Sequence, residues 1–439
     1  MTRTAVIGAG PVGLFMSIAL ARRGHEVICI DRDPGGATPE EWKRVGVMQF
    51  RLPHFFRPAV RNALRAEMPE VYDALVEAGV GVTPMEGMQD EMTGIASRRS
   101  TFEYVLRAAA EREPGVAIHV GHADRITVEN GQATGVVVDG RRLDADIVIS
   151  AAGRASHLGD ELREAPIGGP TGFAYASRMY STKRGAEPLS SPVPIGAMAD
   201  GYLSIVFPQD NGTHCTLVVR PADDKGLAEL RHEAAYEAAA ASIPNLAPWT
   251  DPGRFEPITD VLAGAGLNNL YTMQGPEPGV PPALGLYFVG DAVCLTNPAA
   301  GRGVSLGFDQ ARELLRLLDD GGLDHSERSS AFEQWCDERV RPWFEDHVYW
   351  DETLLRRFAG RDLDLEAKIP SDVICSAAIE KLPHLMALAG PFMGMITLPA
   401  SLDTAQEEVR DLLRTGWRPA LSPGPTRDEL VEAISPLVA

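Results

Sequence analysis

Residues 4–33 read TAVIGAGPVGLFMSIALARRGHEVICIDRD, and this stretch decides the fold. Ala5–Ile7 is a short apolar strand, Leu14–Arg23 has helical composition, and Val27–Ile30 is a second apolar strand that ends on Asp31. Between strand and helix, Gly8, Gly10 and Gly13 form a Gly-x-Gly-x-x-Gly turn with Pro11 and Val12 inside it. Gly8 permits the tight turn, Gly10 lets backbone approach a pyrophosphate, and Gly13 lets helix and strand pack closely. Unpaired amides at the helix start face the phosphates, where the helix dipole favours negative charge. Asp31, followed by Arg32, stands where a carboxylate accepts hydrogen bonds from ribose hydroxyls. Strand, glycines, helix, strand and terminal acid together predict a bound dinucleotide.

The chain has 439 residues, enough for two or three domains with a large core. Its 41 basic and 61 acidic side chains leave a formal charge of −20, which disfavours nucleic acid and anionic membrane as partners. Five cysteines are scattered without a Cys-x-x-Cys pair. That pattern points to neither a metal site nor a disulfide framework, and to a reducing cytoplasm. The N-terminus enters a strand at once, with no expected leader, and no apolar run reaches the ~20 residues of a membrane span.

A second strand–loop–helix unit lies far downstream, in GLYFVGDAVCLTNPAAGRGVSLGFDQARELLRLL at 285–318. Leu286–Val289 reads as a buried strand closed by Gly290 and Asp291. Asn297–Gly303 reads as a Pro/Gly loop containing Pro298, and Val304–Leu318 carries apolar residues at helical spacing. Asp291 can bind a ribityl or ribose hydroxyl, and the amides of Gly301, Arg302, Gly303 and Val304 can face a carbonyl or developing anion. Paired with the N-terminal unit, it implies one long ligand held by two distant segments.

These segments, with ISAAGRAS at 149–156, resemble the FAD-dependent monooxygenases of the para-hydroxybenzoate hydroxylase fold, and KRVGVMQFRLPH at 43–54 with AAGRAS followed by AYASRMY resembles a bacterial group of FAD-dependent oxidoreductases of secondary metabolism. The resemblance spans roughly residues 1–330. It implies an α/β protein: a Rossmann-like FAD-binding domain with an inserted β-rich substrate domain and a helical C-terminal region. The expected boundaries are 1–65, 98–165 and 281–325 for the FAD-binding domain, 66–97 and 166–280 for the substrate domain, and 326–439 for the helical region. It implies that the first segment holds the ADP half of FAD, that Asp291 holds the ribityl chain, that the following loop cradles the isoalloxazine, and that Gly153 is among the cofactor-binding residues. It further implies that Arg99, at a helix start, contacts the phosphates, and that Arg44 lies beside the pyrophosphate. Arg302, where relatives often carry Gln, would add positive charge near the ring.

The implied activity is insertion of one oxygen atom from dioxygen into an apolar or aromatic small molecule, by hydroxylation or epoxidation through a flavin hydroperoxide. The protein's part in such chemistry is to exclude water and aim the reactive group. The same scaffold serves dehydrogenases, oxidases and non-redox flavoproteins, so these remain alternatives. Electrons would come from NADH or NADPH, directly or through a partner flavin reductase. Direct transfer is in doubt because Ala152 precedes Gly153 and Ser150 stands where relatives often have Asp. The Trp-x-Trp-x-Ile-Pro motif of related halogenases is absent.

His54 is a candidate base, and Arg178 with Tyr180, sharing one strand face, could bind an anionic or phenolic substrate. Asn130-Gly131 and Asn211-Gly212 mark hairpins. Phe173, Tyr175, Tyr202, Leu203, Ile205 and Phe207 supply the apolar surface of an expected pocket between the isoalloxazine and the sheet built from residues about 171–220.

Overall fold

The computed structural model describes residues 2–83, 90–154, 156–187, 189 and 195–438. Ala155 of the ISAAGRAS motif and residues 84–89, 188 and 190–194 of the expected substrate domain lie outside them. Among the described residues, a parallel five-stranded sheet runs in the order Leu286–Phe288, Ile147–Ser150, Arg3–Ile7, Glu26–Asp31, Val116–Val120. The two strand–loop–helix units, whose strands begin at Arg3 and Leu286, therefore stand two strands apart and point the same way. Ligands of open parallel sheets bind at the carboxyl ends of the strands, where both glycine-rich loops emerge.

The glycines act through contact distances. Gly8 has φ +103°, and a Cβ there would meet the Ala151 carbonyl oxygen at 2.4 Å. At Gly13 a Cβ would fall 1.8 Å from the Gly8 oxygen. Gly307, in the helix Gly303–Asp319, would place its Cβ 2.5 Å from Val12 Cγ2, so only glycine lets this helix cross the first loop. Phe308 of the same helix packs on Phe15 of the helix Pro11–Arg22, with ring centroids 4.7 Å apart. It also meets Phe102 of the helix Arg99–Arg112 edge-on, and Phe102 stacks on Phe56. This buried aromatic column fuses the two units into one core.

The β-rich part is an antiparallel sheet whose long strands Phe173–Thr182, Thr213–Pro221 and Leu203–Pro208 pair in that order. Asn211-Gly212 turns the chain with positive φ at both residues, as does Asn130-Gly131 in the smaller hairpin of Ala123–Glu129 and Gln132–Val138. Each face of the large sheet carries its own core. One face, with Phe173, Tyr175, Met179, Phe207 and Leu217, looks toward the parallel sheet's loops. The other, with Ala176, Val206 and Val218, packs on the helix Glu233–Ser242. Residues 66–77 depart from the expected boundaries: Met68, Val71 and Leu75 bury in the cofactor-side core, because the helices Pro58–Glu67 and Pro69–Glu77 present their apolar faces to it.

C-terminal helices complete the far side of the loops. The helix Arg341–Phe358 brings Trp343, Asp346, His347 and Asp351 against the segment 297–302. The tryptophans 335, 343 and 350 all serve helix packing. No described helix is long and apolar enough to cross a membrane, and the described residues hold no cluster of side chains that suits a metal ion.

Candidate active site

A cleft of about 450 Å³ opens at the first glycine loop, with Gly8, Gly10, Asp31, Arg44, Gly153 and Arg99 in its wall. The helix Pro11–Arg22 begins without a side-chain cap, so its first amides remain available to an anion. A Cβ on Gly10 would project into the cleft, where its nearest neighbour is Arg99 Nη2 at 4.0 Å. Gly153 is likewise open, with φ +77° and nothing near its Cβ direction. Arg32 is exposed beside Gly46, whose Cβ would meet its guanidinium at 3.0 Å.

Asp31 is already occupied by the protein. Its Oδ2 accepts from the Ala9 N–H at 2.6 Å and pairs with Arg44, while Oδ1 accepts from the Asp33 N–H at 2.9 Å. Arg44 also donates to the Ala9 carbonyl at 2.9 Å. Beneath them lies Glu103, fully buried and paired with both Arg44 and Arg99. Sequence reasoning missed Glu103. The available signal was a carboxylate on the apolar face of the Arg99 helix, next to Phe102 and four residues after an arginine. A buried charge there requires cationic partners.

A second cavity, of about 80 Å³, meets the first at Gln49, Arg99 and Asp291. Gly290 turns with φ +72° and donates its N–H to Gln310 Oε1 at 2.8 Å, which presents Asp291 at the junction. Asp291 makes no hydrogen bond among the described residues. Desolvation pushes its carboxyl above the ordinary aspartate value, against the opposing pull of Arg99 and Arg154.

The loop beyond it is fixed by a buried amide–carboxylate network. Asp351 accepts from Asn269 Nδ2 at 2.7 Å and from Asn297 Nδ2 at 2.9 Å. Asn269 Oδ1 accepts from the Asn297 N–H at 2.7 Å, and Asn297 Oδ1 accepts from the Ala299 N–H at 3.1 Å. Arg57 donates to the Ala300 carbonyl at 2.5 Å. Pro298–Ala300 thus makes one tight turn, Gly301 follows with φ +61°, and the helix begins at Gly303, next to Val304.

Arg302 does not present a free charge to the cavity. Its guanidinium donates to Asp346 at 2.8 Å and lies 4.9 Å from the Trp343 ring centroid. The expectation of added charge near the ring is corrected accordingly, because the C-terminal helix supplies an anion that the loop sequence alone does not reveal. Arg178 and Tyr180 are also displaced from the expected role. Both bond Glu237 of the helix Glu233–Ser242, Arg178 at 2.8 Å and Tyr180 at 2.7 Å, and Tyr180 stacks on His214. Strand alternation puts them on the face away from the cavity. Tyr202 goes with them, whereas Tyr175 and Phe207 line the cavity itself.

His54 does line the cavity. Its Nδ1 lies 2.9 Å from the Leu52 carbonyl, an acceptor only, so Nδ1 carries the proton and Nε2 keeps its lone pair. Burial, reinforced by Arg99, lowers its pKa to about 3, and the ring is neutral at ordinary pH. Tyr175, opposite in chemistry, has a buried hydroxyl with no partner among the described residues. An unmet polar group of this kind costs about 1–3 kcal/mol. Cys294 is buried and its thiol is pushed up by desolvation, so it is packing rather than a nucleophile.

The donor set fits FAD. Open helix amides with Arg99 suit a pyrophosphate, the unpartnered Asp291 suits a polyol, and the 297–304 loop suits a ring with carbonyl edges. Residues 1–229 match the family model described as an FAD binding domain, and the chain belongs to that family: it is a flavoenzyme of the para-hydroxybenzoate hydroxylase fold. It is 24% identical over 335 residues to the FAD-dependent monooxygenase notI' of Aspergillus versicolor, covering 73% of this chain and 76% of that one. It is 28% identical over 361 residues to a menaquinone reductase of Mycolicibacterium smegmatis, covering 74% and 78%. Among solved structures it superimposes on the flavin-dependent brominase Bmp2 with a TM-score of 0.67 at 16% identity, over 94% of this chain and 99% of that one. PqsL of Pseudomonas aeruginosa aligns with a TM-score of 0.60 at 15% identity, over 82% and 98%. These two structural likenesses establish the fold.

Proposed function

We propose that the protein is a monooxygenase that transfers one oxygen atom from dioxygen to an apolar or aromatic small molecule, by hydroxylation or epoxidation. The observation that carries this reading is the second cavity. It joins the cofactor cleft at Arg99 and Asp291, and its outer walls are the apolar sheet face of Tyr175, Phe207 and Leu217. Such a wall excludes water from the face of the bound ring, which oxygen transfer requires. FAD supplies the redox chemistry when bound. Gly10, Arg44, Arg99 and Asp291 would hold it, and the helix dipole starting at Gly303 would stabilise negative charge on its ring. NADH or NADPH would supply the electrons, directly or through a partner reductase, in a cytoplasmic setting. Aerobic turnover of an aromatic panel with isotopically labelled dioxygen tests the proposal: one labelled atom per product is expected.

A second reading, a flavin reductase or dehydrogenase acting on an apolar quinone, draws support from the name of the mycobacterial relative. Turnover of a short-chain naphthoquinone without oxygen, and with no labelled atom incorporated, would favour it over the first.

A further inference from the structure

We infer that the cavity beyond the ring loop selects an uncharged, planar ligand carrying a carbonyl oxygen that accepts from the Tyr175 hydroxyl and a hydroxyl that donates to His54 Nε2. The inference rests on the monooxygenase reading only for what then happens to the ligand.

Tyr175 is 4% exposed, and its hydroxyl is buried without a partner among the described residues. The ring cannot swing to find one. It lies over Gly264 of the paired strand, where a Cβ would fall 2.2 Å from Tyr175 Cζ. Desolvation pushes the phenol far above its ordinary value, so it remains protonated and offers a hydrogen. His54 offers the complement: with Nδ1–H committed to Leu52, Nε2 can only accept. One fixed donor and one fixed acceptor therefore stand in a cavity whose lining also includes the apolar Leu52, Phe55, Phe207 and Leu217 and the polar Gln49 and Thr296. The charged groups at its edge are spoken for. Arg99 is paired with Glu103, Arg302 is paired with Asp346, and Asp291 faces the cofactor cleft. A carboxylate on the ligand would find no free counter-ion, and its desolvation would go uncompensated.

The test titrates oxidised holoenzyme and reads the flavin absorbance perturbation. The probes are para-hydroxyacetophenone, whose two polar groups stand at opposite ends of a single small ring, its methyl ether, para-hydroxybenzoate, and the parent ethylbenzene. In the unmodified protein the hydroxyacetophenone should bind about 10-fold more tightly than either the hydroxybenzoate or the ethylbenzene. Tyr175→Phe should weaken the hydroxyacetophenone by about 10-fold and leave the ethylbenzene unchanged. His54→Gln should weaken the hydroxyacetophenone more than its methyl ether. Equal weakening of all probes, loss of FAD affinity in step with probe affinity, or tightest binding of the hydroxybenzoate would each overturn the inference. The ranking in the unmodified protein decides the matter even where a variant folds poorly. Should the predicted ranking hold while no labelled oxygen enters any product, the monooxygenase reading fails and the recognition stands.

Discussion

The two ends of the cofactor cleft carry the same device, a strand that ends at a glycine turn with an aspartate nearby, yet the two aspartates live differently. Asp31 is fully bonded within the protein, to the Ala9 and Asp33 amides and to Arg44. Asp291 has no hydrogen bond among the described residues and is held, desolvated, at the junction of two cavities. At the nucleotide end the protein completes its own network before any ligand arrives. At the ring end a charge is left waiting. The first arrangement contributes to folding and pre-shapes the cleft; the second contributes to binding, at some expense to the empty protein.

The largest effect should come from the bonded end. Asp31→Ala removes one of the two carboxylates paired with Arg44 and leaves the Ala9 and Asp33 amides without their acceptor, a loss of about 4 kcal/mol. Urea unfolding of FAD-free protein should show that loss. A variant as stable as its parent would erase the contrast between the two ends.

Asp351, which holds the ring loop, comes next. Burial pushes its carboxyl up to about 7, with the Asn269 and Asn297 amides pulling the other way. Because the folded value lies above the unfolded one of about 4, its contribution to stability is full below pH ~4 and is lost as pH rises through about 7. Between pH 5 and pH 8 the loss should approach about 3 kcal/mol. Asp351→Asn should remove that slope in urea unfolding at the two pH values. Asp309, also raised to about 7 by burial, titrates in both proteins and cancels from the difference. An unchanged slope would detach Asp351 from the loop's energetics.

Asp291→Asn should act in the opposite sense from Asp31→Ala. FAD affinity should fall by about 30-fold, the loss of one charge-assisted hydrogen bond of about 2 kcal/mol. The melting temperature of FAD-free protein should hold or rise, since a desolvated carboxylate has been removed. Fluorescence quenching on FAD addition and a thermal melt of the FAD-free form read the two effects separately. A fall in both would make Asp291 a second Asp31.

Both strand–loop–helix units were legible in the sequence because each is local. The apolar run, the glycines and the helical periodicity lie within about 30 residues, so each pattern is readable without knowing that Ala151 closes on Gly8 or Val12 on Gly307. What was not legible came from partners distant in sequence. Glu103 is a surface-type residue until Arg44 arrives from 59 positions away. Arg302 appeared free because Asp346 sits on a helix that carries no motif. The Asp351–Asn269–Asn297 network joins three segments, none with a signature of its own. The alternation of Phe173–Thr182 correctly paired Arg178 with Tyr180, but it could not say which face looks at the cofactor. Only the position of the helix Glu233–Ser242 settles that.

The smallest predicted effect tests that last point. Tyr180 shares a strand with Tyr175, five residues away and on the opposite face, so the two phenols form an internal control for position. The Tyr180 hydroxyl donates to Glu237, a carboxylate about 38% exposed, and solvent can replace much of that bond. Tyr180→Phe should therefore cost about 1 kcal/mol of stability, the usual net worth of such a hydrogen bond. Its ring still stacks on His214, which preserves the packing between sheet and helix. Because no described residue of this face lines the cavity, kcat/KM for any accepted substrate should stay within about twofold of the parent. A large drop in kcat/KM with stability intact would mean that the substrate approaches through the helix-covered face. The roles of the two sheet faces would then have to be exchanged.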